Sequence, residues 1–189
     1  MDRRALILAL PALAAFPARA DTPAQKLVAA VREQTRHRVI YDGAYTRIPY
    51  PMGDVAADRG VCTDVVIRGY RSALGVDLQQ KVHEDMKAHF ALYPKAWGLK
   101  RADSNIDHRR VPNLRTYFKR FGTIRPATRN TTDYAAGDLV TYNLPGNLPH
   151  IAVVTDPAQH LVVHNIGAGP KEERALFGYD ITGHFRYGL

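Results

Sequence analysis

Cysteine is almost absent from this sequence: there is one, Cys62, in 189 residues. A single thiol cannot close an internal disulfide, so it is either an inert buried side chain or a reactive one. It also makes a Cys-x-x-Cys metal motif impossible, so neither a metal nor another cofactor is expected. Long apolar runs are missing beyond the first twenty residues, which leaves no further stretch able to cross a bilayer. There are no internal repeats and no low-complexity segments. The 26 Lys and Arg residues outweigh 18 Asp and Glu but are scattered. No nucleic-acid motif or interleaved aromatic patch accompanies them, so nucleic acid is not an expected partner. A basic surface of this kind suits an anionic polymer such as the bacterial wall.

What is present begins with a leader pattern. Arg3 and Arg4 precede an apolar stretch over residues 5–16, and Ala18-Arg19-Ala20 supplies the small residues of a cleavage site. The expectation is a secretory signal over residues 1–20 and a single mature domain over residues 21–189, exported to the periplasm or beyond. No cysteine stands at the cleavage site to take a lipid anchor. After cleavage the chain is expected to be a monomer with no membrane span.

Asp21 or Thr22 caps a first helix over residues 21–37, with Pro23 in its first turn and Leu27, Val28 and Val31 on its apolar face. Residues 39–51 are rich in tyrosine and broken by Gly43, Pro49 and Pro51, which predicts extended chain and loop. A second helix is expected over 62–73, closed by Gly75, and a third over 77–90. Periodicity then disappears over 93–112, a loop long enough to suggest a functional one. A short helix over 113–121 stops at Gly122. Strand-type runs follow at 138–142, 150–155, 160–165 and 181–187. Helices first and strands later, with turns too short for helical crossovers, predict an α+β domain with an antiparallel sheet.

Cys62 stands where the second helix begins, and free N–H groups and the helix dipole favour a thiolate there. Val65, Val66, Gly69 and Ala73 share its stripe, which is expected to face the sheet, with Gly69 allowing close approach. A thiol nucleophile needs a base, and His150 opens an apolar strand. Alternation puts His150, Ala152 and Val154 on one face, where small Ala152 leaves room for a helix. Hairpin register supplies a third member. A three-residue turn after Thr155 sets His150 opposite His164, and one more residue sets it opposite Asn165. His164 is preferred. Within the long loop, Asp107-His108-Arg109-Arg110 offers Arg109 as a bidentate fork for a substrate carboxylate. A solvated loop tethered by Asp107 is the plainer alternative.

Taken in order, Tyr50-Pro51-Met52-Gly53, Cys62, Gly137-Asp138-Leu139-Val140, His150-Ile151-Ala152-Val153-Val154 and Val162-Val163-His164 resemble the successive motifs of NlpC-type cell-wall peptidases. Residues 59–66 and 105–114 are more similar still to an exported bacterial family catalogued as a domain of unknown function. The resemblance implies a papain-like fold with Cys62 as nucleophile, His150 as base and His164 or Asn165 as the third residue. It further implies Tyr50 in the loop that shapes the acceptor side of the site, and peptidoglycan peptides as substrate. The chain departs from the NlpC pattern around the cysteine, with Val61 before it and Thr63-Asp64 after it, so Asp64 is a candidate contact in an altered substrate pocket. The expected activity is an amide-cleaving cysteine hydrolase. The alternatives are a non-catalytic wall-binding module of the same shape and a metal site made by Cys62, His150 and His164.

Overall fold

The computed structural model describes residues 20–189, and the expected leader lies outside the described residues but for Ala20. The first helix, α1, spans Pro23–Gln34. The Thr22 hydroxyl accepts from the Gln25 N–H while the Gln25 side chain accepts from the Thr22 N–H, a reciprocal cap that starts the helix where the sequence suggests. Two short strands, β1 (Ile40–Tyr41) and β2 (Arg59–Gly60), pair in parallel. Directly after β2 comes α2, Cys62–Leu74, which ends on Gly75 at φ 65°, a left-handed position suited to glycine. Helix α3 spans Leu78–Ala88 and starts at Asp77, whose carboxylate accepts from the Gln79 N–H.

The stretch expected to be one long loop is partly ordered. It holds a 3-10 turn at Asp107–Arg109, and α4, Val111–Phe121, begins two residues early with Pro112 in its first turn. The remaining strands are β3 (Thr123–Ile124), β4 (Leu139–Leu144), β5 (Leu148–Asp156), β6 (Leu161–Asn165), β7 (Pro170–Glu173) and β8 (Asp180–Arg186). They form a six-stranded antiparallel sheet in the order β3-β8-β4-β5-β6-β7. The α+β expectation therefore holds. β3 and β7 were not legible, because the edge strand Pro170-Lys171-Glu172-Glu173 has no apolar alternation to reveal it.

The two faces of the sheet bury different side chains. On the helical face Cys62, Val65 and Ile67 of α2 share a core with Leu139, Ile151, Val153, Val163 and Phe185. On the other face Val140, Tyr142, Ala152, Val154 and Val162 pack with Tyr134 and Leu176. This corrects one expectation: the helix covers the Ile151 and Val153 side of β5, not the Ala152 side. Gly69 differs too. It admits α1 rather than the sheet, since a Cβ there would stand 2.7 Å from Val31 Cγ1. Among the described residues no helix is long and apolar enough to cross a membrane.

Candidate active site

The first turn of α2 is held by a buried ion pair. Asp64 accepts from the Val61 N–H at 2.6 Å and receives a two-point contact from Arg109, Nε to Oδ1 at 2.9 Å and a terminal nitrogen to Oδ2 at 3.0 Å. Arg109 also donates to the carbonyls of Asp42 and Ala44, which ties the β1 segment to the helix start. The thiol of Cys62 is thereby set beneath β5. Its sulfur lies near the Ile151 N–H and the N–H groups of Thr63 and Cys62 itself, and the Tyr41 side chain of β1 lies beside it.

These donors favour a thiolate, but burial opposes it and wins. Cys62 is 4% exposed, and desolvation pushes its thiol up to about 11. A helix terminus supplies about 0.3–1 kcal/mol, up to ~2 in partly buried geometries, whereas full burial moves a pKa by as much as ~3–5 units. The resting sulfur is therefore a protonated thiol, contrary to the expectation drawn from the helix tip. Burial, followed by the charges of Cys62 and Asp64, likewise pushes Tyr41 up to about 12.

The helix reaches β5 because the sheet opens there. The β5–β6 ladder runs through Val154–Val162 to Val153–Val163, while β5 begins earlier, at Leu148. Beyond that point the Asn165 amide turns to the Gly60 carbonyl at 3.3 Å. The register differs from both expected alternatives, since the turn spans four residues, 157–160, between Asp156 and Leu161. With the bulge between Val154 and Asp156, the ladder continued from Val153–Val163 sets His164 at the level of Ala152 rather than of His150. A shift of two residues keeps the face. The two rings meet diagonally, with His150 Nε2 2.9 Å from His164 Nδ1. His164 Nε2 lies 3.0 Å from Glu173 Oε2 on β7. His150 and His164 are each 1% exposed, and burial, then the charge of His164, lowers His150 to about 3. His150 thus rests as a neutral imidazole on the Ala152 side of β5, while the sulfur rests as a thiol against the backbone of the next residue, Ile151. Among the described residues no hydrogen bond joins the two, so the expected direct Cys62–His150 contact is not formed.

A model of the family described as "Domain of unknown function (DUF1287)" matches residues 28–187. The chain belongs to that family. "Uncharacterized protein YijF" of Escherichia coli (strain K12) is 54% identical over 160 residues, which cover 82% of this chain and 78% of that protein. A solved structure described as NlpC1 from Trichomonas vaginalis aligns over 91% of this chain at 13% identity, with a TM-score of 0.48. The chain spans about half of that structure's length, 46%.

Other residues singled out in this DUF1287 chain lie elsewhere or are engaged with one another. Asp64 and Arg109 bind each other in the interior, so neither presents a free group to a substrate. Asn165 bonds to Gly60 and accepts from the Gly167 N–H rather than orienting His150. Tyr50 leans on α3, its hydroxyl 3.3 Å from Glu84 and its ring edge-on to His83. Its motif partner Gly53 is required sterically, since a Cβ there would lie 1.9 Å from the Pro49 carbonyl oxygen. His184 is fully bonded in the sheet, to Asp138 and to the Pro126 carbonyl. Among the described residues no group of three or more His, Cys, Asp or Glu side chains is arranged to hold a metal ion. Two contacts were missed. Tyr41 lay in a tyrosine-rich segment with nothing to single it out, and Glu173 lay in an unrecognised strand.

Proposed function

We propose that this chain is an exported cysteine amidase or peptidase that cleaves amide bonds in peptidoglycan peptides. One observation carries the reading: the thiol at the start of α2 meets the backbone of Ile151, the residue after His150 on β5, and His150 Nε2 lies 2.9 Å from His164 Nδ1. In the proposed reaction the thiol proton passes to His150 as sulfur attacks the amide carbonyl, forming the C–S bond. His150 then protonates the leaving amine as the C–N bond breaks. Water, deprotonated by the same ring, adds to the acyl carbon, the C–S bond breaks to release the acid, and the ring returns its proton to the sulfur. The N–H groups of Cys62 and Ile151 beside the sulfur are candidate donors to the oxyanion, and losing one such donor costs about 2.7–4 kcal/mol. The basic surface supports attraction to an anionic wall, and the motif order around Tyr50, Cys62, His150 and His164 supports the substrate class. The leader pattern supports export.

The test is incubation of purified protein with peptidoglycan and detection of released peptides by mass spectrometry. Release is expected from wild type and not from Cys62→Ala. Equal cleavage by that variant would remove Cys62 from the mechanism. A second reading, a wall-binding module with a silent thiol, is favoured by the burial that keeps Cys62 protonated. It predicts retention on sedimented peptidoglycan with no peptide release.

A further inference from the structure

Glu173 sits at the end of a chain of hydrogen bonds that begins at the buried imidazoles. Its side chain is 42% exposed, while that of His164, 3.0 Å away, is 1% exposed. A carboxylate only accepts hydrogen bonds, so the nitrogen facing it, His164 Nε2, carries a proton. In a neutral ring the other nitrogen, His164 Nδ1, is then a bare lone pair. That lone pair lies 2.9 Å from His150 Nε2. Two bare nitrogens repel at this distance, so the proton of His150 sits on Nε2 and its Nδ1 is left bare.

We propose that Glu173 is a positioning residue: from the edge strand it sets the tautomers of both histidines in series, leaving His150 Nδ1 as the proton-accepting atom. The use of that atom against Cys62 rests on the amidase reading, but the tautomer order does not. When Nδ1 takes the thiol proton, His150 still donates from Nε2 to His164, so no other bond in the chain has to be remade. The neighbouring Glu172 makes a useful contrast. It pairs with Arg32 at 2.7 Å and bonds to the Thr155 hydroxyl, and it touches neither imidazole.

The experiment is a long-range nitrogen–proton NMR spectrum of the imidazoles in the purified protein near neutral pH. Wild type is expected to show His150 and His164 both protonated on Nε2 and bare on Nδ1. Glu173→Ala should convert both rings to tautomer mixtures. Glu173→Gln keeps an accepting oxygen and should retain the order, as should Glu172→Ala. A wild-type proton on His150 Nδ1, or unchanged tautomers in Glu173→Ala, would overturn the proposal, and the wild-type spectrum decides even if a variant fails to fold. Cleavage by Cys62→Ala alongside the expected tautomers would end the amidase reading and leave the role of Glu173 standing.

Discussion

Cys62 is pulled in two directions, and the balance sets how its reactivity depends on pH. The nearby N–H groups of Ile151, Thr63 and Cys62 favour the anion, yet burial holds the thiol at about 11. Alkylation by iodoacetamide should therefore keep accelerating above pH 10, where an ordinary thiol of pKa about 8.5 has levelled off. Tyr41 belongs to the cover. Tyr41→Ala should hydrate the sulfur and speed alkylation near pH 8, by about tenfold for each pKa unit recovered. Mass spectrometry of the labelled protein over time reads this directly. No acceleration would mean that the Tyr41 ring does not shield the thiol. Cys62, His150 and His164 could be singled out as candidates in the sequence by their residue types and neighbours. Tyr41 was not, because a half-exposed aromatic in a loop carries no local signature.

Among elements, the start of α2 depends on one buried ion pair that spans 45 residues of chain. Arg109 and Asp64 are 2% and 3% exposed at the side chain. Removing one partner leaves the other charged and unpaired, which typically costs about 3–5 kcal/mol. Arg109→Ala should lower the urea midpoint accordingly, and Arg109→Lys should recover only part of it, because an ammonium cannot reproduce the two-point fork. Unchanged stability with weakened substrate binding would return Arg109 to the carboxylate-binding role its sequence suggested. That role was a reasonable expectation, since an arginine in an aperiodic stretch looks free. Its partner Asp64 lay on a helix whose packing was not yet known. Helices α1 and α2 were located closely by their caps and glycines. β7 was invisible, and with it the residue that bonds His164.

For the molecule as a whole, two buried neutral imidazoles create an acid liability. Burial holds His108 and His150 to about 3, against an ordinary 6.5. Between those values the unfolded chain binds two protons that the folded chain refuses. Stability is therefore present above about pH 6.5 and is lost as the pH falls toward 3. Thermal melts should show the midpoint dropping across this window, with a shallower drop for His108→Gln. A flat profile between pH 6.5 and 4 would mean that water reaches both rings in the folded state.

The sequence by itself determined the four helices, the four longer strands and the α+β class, because caps, alternation and turn residues act within a few positions. Only the tertiary structure decided that the sulfur lies under Ile151, that Asp64 and Arg109 face each other, and that Glu173 meets His164. Each of those depends on a bulge, a strand end or an edge pairing, where a displacement of one or two residues changes which side chains meet and how much water reaches them.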